Sequence, residues 1–377
     1  MTHKGRIRHM FSGGNTSVGF FSFFQYIMGN DATRIFILKG GPGVGKSTLM
    51  RKIGEAMLEK GYDIEYFHCS SDPGSLDGIA VPKLDIAMMD GTAPHMIDPK
   101  TPGAVDEIIN LGGYWNEDIL VVNKTNIQEL SQRMKKAFSI TYSLLKEGRV
   151  AYDEWSGYIA ESMDRGKVNK VTQELRERIF AQATSNCEQA AKARHLFASG
   201  ITPEGLVNYT HTLLENDMDI YCMHGAPGTG VQDVIGRIAN TAHDLGIDTE
   251  QFHCPFNPEK LDLLLLPSLK VAVVNTTQPA HRDVGKIEGL QIKGEYNLSS
   301  FIRQDSLVWY MPEVRDAGDR YANLLDKAIA QLKKAKALHD ELENYYVPAM
   351  DFEGINKKQE EVLERVLKYS LIQRDRT

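Results

Sequence analysis

The chain lacks the features that would mark it for a membrane, an oxidising compartment or a polyanion. Its 377 residues include only four cysteines, at 69, 187, 222 and 254, and no C-x-x-C pair. Neither a zinc finger nor a disulfide framework is therefore expected, and a reducing, cytoplasmic compartment is the default. Long apolar runs are missing too. The most aromatic stretch, Val18 to Met28, holds too few apolar residues to span a bilayer, and Met1 to His9 has no apolar core of the signal-peptide kind. Nor is there an excess of basic residues: 43 Lys and Arg stand against 50 Asp and Glu, a formal net charge of −7. That balance argues against a general nucleic-acid binder. What remains is an ordinary globular composition, 42% hydrophobic and 25% charged, on a chain long enough for two cored domains.

Against this background one stretch stands out, Gly40-Gly41-Pro42-Gly43-Val44-Gly45-Lys46-Ser47-Thr48. It fits G-x-x-x-x-G-K-[ST], the Walker A pattern whose backbone amides cradle nucleotide phosphates. Its glycines let the backbone approach the phosphates, and successive amides plus a helix start make an anion nest. In this pattern Lys46 reaches the β- and γ-phosphates and the Ser47 hydroxyl ligates Mg²⁺. A second copy, Gly225-Ala226-Pro227-Gly228-Thr229-Gly230-Val231-Gln232-Asp233, keeps glycines and the proline but has lost the lysine and the hydroxyl. One working nucleotide site and one inactive copy are expected.

The repetition extends over nearly the whole chain. Arg8-His9-Met10-Phe11 returns as Arg194-His195-Leu196-Phe197, and Phe67-His68-Cys69 as Phe252-His253-Cys254. Pro82, Pro94 and Asp98 return as Pro267, Pro279 and Asp283, and Val168-Asn169-Lys170 as Ile355-Asn356-Lys357. Glu174 and Arg178 match Glu361 and Arg365. These ordered matches indicate a tandem duplication with its seam near residue 190.

Each repeat has one plan. Arg34 to Lys39 is a short apolar run ending at glycines, a buried strand feeding the loop. Ser47 to Lys60 carries Leu49, Ile53 and Met57 at helical spacing and stops at Gly61. Asp63 to Cys69 and Leu84 to Met89 read as further strands, so a parallel sheet with right-handed crossovers is expected. Each repeat then ends in a long helical hairpin. Thr125 to Met163 and Val168 to Ala193 break near Asp164-Arg165-Gly166, and Val314 to Tyr346 breaks at Pro348 and resumes from Ile355. The fold class is thus α/β: two tandem P-loop NTPase-like parallel-sheet domains, each followed by a helical hairpin. The expected segments are 1–123 with the intact loop, 124–190 helical, 191–310 with the degenerate loop, and 311–377 helical. The hairpins either pack as a bundle or engage a protein partner.

A Walker A loop needs an acid at a neighbouring strand end to hold Mg²⁺, and Asp90 supplies it after Leu84 to Met89. Its counterpart is Asn275, just as Lys46 becomes Val231 and Ser47 becomes Gln232, the joint loss expected of an inactive site. Asp72 becomes Asn257 and lies where a base, a substrate clamp or a water-orienting group would sit, or simply at an Asp-Pro turn. His95, which becomes Ala280, is a further candidate on the γ-phosphate side. Asp98, kept as Asp283, is read as structural. His68-Cys69 and His253-Cys254 invite a metal, but adjacent strand residues face opposite ways, so packing is the expectation. If the halves pair as a pseudo-dimer, Arg237 and Arg282 are candidates for a contact to the intact site.

These motifs resemble the P-loop NTPases, and the lead-in Phe11 to Phe20 is similar to that of RecA-like and KaiC-like ATPases. The layout also resembles an uncharacterised bacterial family of tandem-duplicated P-loop ATPases with a degenerate second copy. The resemblance implies a cytoplasmic, ATP-binding hydrolase with Mg²⁺ on Ser47 and Asp90 and catalysis through Lys46, Asp90 and Asp72. A kinase transferring the γ-phosphate to a small molecule, with a lid from residues 91–118, is the alternative. A scaffold holding structural nucleotide is a third. No N-K-x-D signature of GTPases is present, so ATP is preferred.

Overall fold

Apolar runs that end at glycines become strands, and the three-and-four-spaced runs become helices. The computed structural model describes residues 4–29, 31–92, 97–181, 183, 190–277, 287 and 289–374. The first repeat runs through β1 (Ile7–Met10), β2 (Gly13–Thr16), β3 (Gly19–Ser22), β4 (Arg34–Lys39), α1 (Lys46–Glu59), β5 (Ile64–Cys69), β6 (Asp72–Val81), β7 (Ile86–Asp90) and β8 (Asp106–Asn110). Helices α2 (Glu117–Val122), α3 (Lys124–Glu161) and α4 (Arg165–Phe180) follow. The second repeat has β9 (Ala193–Leu196), β10 (Ser199–Thr202), β11 (Gly205–Asn208), α5 (Thr210–Leu213), β12 (Asp219–His224), α6 (Val231–Asp244), β13 (Thr249–His253), β14 (Leu261–Leu266), β15 (Val271–Asn275) and β16 (Gln291–Asn297). It closes with α7 (Gln304–Leu307), α8 (Met311–Tyr346) and α9 (Phe352–Arg374).

The two six-stranded sheets have the same order, β1-β5-β6-β7-β4-β8 and β9-β13-β14-β15-β12-β16. They depart from the all-parallel expectation at one strand each. β6 is antiparallel to both β5 and β7, and β14 to both β13 and β15. The cause is a tight turn after each: Pro82–Leu84 and Pro267–Leu269 are single 3-10 turns closed by Asp85 and Lys270 at φ 53°, the only described non-glycine residues in the left-handed region. Such a turn reverses the chain, where a parallel crossover would need a dozen or more residues. Leu84, expected in a strand, lies in this turn. Asp106–Asn110, expected in a lid, is an edge strand paired with β4.

α1 buries Leu49, Met50, Ile53 and Met57 on one stripe, and Gly61 at φ 84° ends its last turn. α4 starts at Asp164, whose carboxylate accepts from the Lys167 amide, so the break expected there is an N-cap. α4 ends at Phe180, short of Ala193; residues 182 and 184–189, together with His95 and Arg282, lie outside the described residues. Among the described residues no helix is long and apolar enough to cross a membrane.

The chain divides into two units. The first comprises Met1–Gly13, Ser22–Ser139 and Gln331–Thr377, the second Gly14–Phe21 and Ile140–Ala330. Each unit therefore draws on both repeats. In the first, Val362 and Val366 of α9 are fully buried against the α1 and β-sheet core. In the second, Val171, Leu175 and Ile179 of α4 pack on the core of α6 and its sheet. Full burial of such side chains contributes about 1.5–3 kcal/mol each, so a repeat's sheet gains substantial stability from the other repeat's terminal helix. The hairpin Gly14–Phe21 also belongs to the second unit, where Asn15 donates to the Ile201 carbonyl (3.0 Å) and accepts from the Tyr142 hydroxyl (3.0 Å).

Candidate functional site

The loop Gly40–Thr48 joins β4 to α1 in the first unit. Gly43 and Gly45 sit at φ 68° and 85°, conformations that a side chain would strain, and Gly45 is the N-cap of α1. That helix has no side-chain cap and no acid in its first turn. Among the described residues, the amides of Gly41 and of Gly43 through Thr48 donate to no protein acceptor. These donors lie at the positive end of a 14-residue helix, an arrangement that could receive an anion. The Val44 side chain points the other way, into the core, and Thr48 is exposed.

Lys46 folds back over the loop. Its Nζ donates to the Gly40 carbonyl at 2.8 Å and the Gly41 carbonyl at 3.0 Å, and lies 3.5 Å from Asp90 Oδ2. Asp90 ends β7, in register with Leu38 of β4, so its carboxylate flanks the loop mouth. Its Oδ1 accepts from the Thr92 amide (2.8 Å), while the Thr92 hydroxyl donates to Gly40 O (3.1 Å). Ser47 Oγ accepts from the Leu76 amide of β6 at 3.1 Å. Asp72 opens β6 rather than sitting in a free turn; its Oδ2 accepts from the Ser75 hydroxyl (2.8 Å) and is 3.7 Å from Lys336 Nζ. Lys46, Ser47 and Asp90 are thus gathered at one loop, with Asp72 at the far end of the same strand that meets Ser47. Asp98 is largely exposed, 4.0 Å from Lys39.

A further carboxylate had gone unread. Asp77 lies on β6 one residue beyond the Gly78–Met89 pair, opposite Asp90, and is buried. Its counterpart Asp262 shows what the position contacts: Oδ1 accepts from Gln232 (2.8 Å) and from Asn275 (2.7 Å), the residues standing for Ser47 and Asp90. By that correspondence a hydroxyl and two carboxylates, Ser47, Asp90 and Asp77, stand at the matching positions of the first unit, a donor set suited to a hard divalent cation. Retention of an aspartate at both 77 and 262 was the available signal. Helix α8 adds one more group of side chains missed by the sequence reading. Lys336, His339, Asp340 and Glu343 lie on one face at three-and-four spacing, with Lys336 against Asp72 and Glu343 against Gly43.

The His-Cys pairs have another explanation. His68 Nδ1 meets the Pro73 carbonyl at 2.8 Å, which places its proton there and leaves Nε2 to accept from His9 Nδ1 (2.8 Å). The second unit repeats the arrangement with His253, Pro258 O (2.6 Å) and His195 (2.9 Å). Burial lowers His68 and His253 to about 4, so both are neutral near pH 7. Burial first, then the Asp77 carboxylate, holds the Cys69 thiol well above its usual value. These residues pack strands together. Arg237 hydrogen-bonds Asn169 (2.9 Å) within the second unit.

Comparison with protein-family models, curated proteins and solved structures gives no match.

Proposed function

We propose that the first unit is a P-loop NTPase-like domain that binds Mg-ATP at Gly40–Thr48 and hydrolyses it. The observation that carries this reading is the run of uncommitted amides from Gly43 to Thr48 around the Lys46 ammonium. Those amides and Lys46 would hold the phosphates. Ser47, Asp90 and Asp77 are the residues that would hold Mg²⁺, which supplies charge neutralisation at the β- and γ-oxygens. Asp72, 3.7 Å from Lys336 on the helix whose Glu343 meets Gly43, would orient the attacking water. Because Tyr346, Val347 and Gln359 of the second repeat lie against Gly41, Gly43 and Gly45, nucleotide occupancy would be felt in the helices of that repeat.

The test is equilibrium binding and steady-state hydrolysis of Mg-ATP and Mg-GTP by the full chain, beside Asp90→Asn. The variant is expected to keep nucleotide binding in the absence of metal. Its turnover is expected to fall by about 10²-fold, the scale of one lost transition-state electrostatic contact, with the half-saturating Mg²⁺ concentration raised. Wild-type protein that neither binds nor hydrolyses either nucleotide ends the proposal.

A further inference from the structure

The second unit holds a cavity of about 490 Å³ beside a loop that has lost the lysine and the hydroxyl of its counterpart. Three of that loop's amides are consumed: Gly225 by the Thr277 hydroxyl (3.2 Å), Ala226 by Ser299 (2.9 Å) and Thr229 by the Ala226 carbonyl (3.1 Å). The basic groups at the rim are paired as well, Arg149 with Asp153 (2.8 Å) and Lys260 with Asp233. Among the described residues, both cations that line the cavity are engaged by carboxylates.

Several of the substitutions that line this cavity remove a charge. At the spacing that relates Lys46 to Val231, Asp90 becomes Asn275, Asp72 becomes Asn257 and Ser47 becomes Gln232. At the spacing that relates Val168 to Ile355, the wall helix presents Tyr152 and Ser156 where the first unit has His339 and Glu343, and Tyr321 where it has Met134. Asp72, Asp90, His339 and Glu343 give way to neutral hydrogen-bonding or aromatic groups and Lys46 to a valine, while the charges kept or gained in the lining, Arg149 with Asp153 and Lys260 with Asp233, pair with each other. Simple decay would replace them without regard to chemistry and let the space collapse. Here the space persists and its one buried carboxylate, Asp262, is satisfied by both new carboxamides, Gln232 and Asn275. Beside them, Tyr152, Phe256 and Tyr321 form a cluster with ring centroids 5.0–5.5 Å apart.

We infer that the second unit is a rebuilt binding site for an uncharged heteroaromatic ligand of nucleoside size. The aromatic wall supplies the apolar surface, and Gln232 and Asn257 read the polar edge of the ring. The volume is in the range of small-molecule sites, about 300–1,000 Å³. The inference does not depend on hydrolysis in the first unit.

The experiment is calorimetric titration of adenosine, guanosine, cytidine and uridine, and of AMP, into full-length Lys46→Ala protein, which silences the first loop. One nucleoside is expected to bind saturably, one per chain, more tightly than AMP, and equally in the wild type. Ser156→Trp, which fills the cavity from its half-buried rim, and Tyr152→Ala are each expected to weaken binding at least about tenfold. Circular dichroism melts confirm that both variants are folded. Three results overturn the inference: no nucleoside binding up to about 1 mM, AMP binding tighter than adenosine, or binding that Ser156→Trp in folded protein leaves unchanged.

Discussion

Lys46→Ala is expected to abolish measurable Mg-ATP turnover while leaving the fold intact. The ammonium is held at the loop mouth by two carbonyls at 2.8 and 3.0 Å and by Asp90 at 3.5 Å, with only 13% of its side chain exposed. With Mg-ATP bound as proposed, that placement would put a fixed charge where the transferred phosphoryl group develops its own, without reorganisation at the moment of reaction. Removing one such contact costs about 10²–10³-fold in turnover, and a lysine that also neutralises ground-state phosphate charge should weaken binding as well. The structural cost is that of hydrogen bonds from a charged donor, about 1.5–3 kcal/mol net each, and it is read separately from turnover. The second repeat supplies an internal control, since Val231 occupies the same position at the start of α6, 4% exposed, on an otherwise equivalent helix. Steady-state hydrolysis, bound nucleotide after gel filtration and a thermal melt on the same preparation separate the effects. Turnover at the wild-type level in folded Lys46→Ala protein would place the chemistry elsewhere.

The sequence carried the loop, its strand and its helix because each is a local pattern: an apolar run, four glycines, then three-and-four spacing. It carried the long helices for the same reason. β6 was hidden because it follows Ser70-Ser71 and opens on Asp72-Pro73-Gly74, a run that looks like a turn, and its longest apolar run is the Ile79-Ala80-Val81 end. Missing that strand meant missing Asp77, a lone acid in an otherwise apolar stretch, although its survival as Asp262 was readable. The exchange of terminal helices was not legible at all. An amphipathic stripe such as Val362 and Val366 shows that a helix is covered, not by which repeat. For that reason Lys336, His339 and Glu343 could not be assigned to the intact loop from sequence. Arg8-His9 and His68-Cys69 were each noticed as repeated pairs. Their link is made by strand pairing: His9 of β1 lies opposite Tyr66 of β5, which brings its ring to His68, two residues further along β5 on the same face.

Those histidine pairs set the second large effect, a loss of stability in mild acid. His68 in the first unit and His253 in the second both titrate near 4 when folded, against about 6.5 when unfolded. Between these values the unfolded chain binds protons that the folded chain refuses, so stability falls as pH drops from about 6.5 to about 4 and is flat above. A displacement of that size corresponds to about 3 kcal/mol per histidine at the lower limit, a large share of a domain stability of about 5–15 kcal/mol. His195 is shifted in the same direction by burial and adds to the effect in the second unit. Paired carboxylates act in a lower window. Glu107, held down by its hydrogen bonds to Arg365, withdraws stability only below its ordinary value of 4.5. Urea midpoints at pH 7.5, 6.5, 5.5 and 4.8 therefore isolate the histidines. The wild-type midpoint should fall steadily across the last three, whereas His68→Gln/His253→Gln protein should begin lower at pH 7.5 and lose much less. Equal slopes in the two proteins would mean that these rings are hydrated in solution and that their burial does not set the acid limit of the fold.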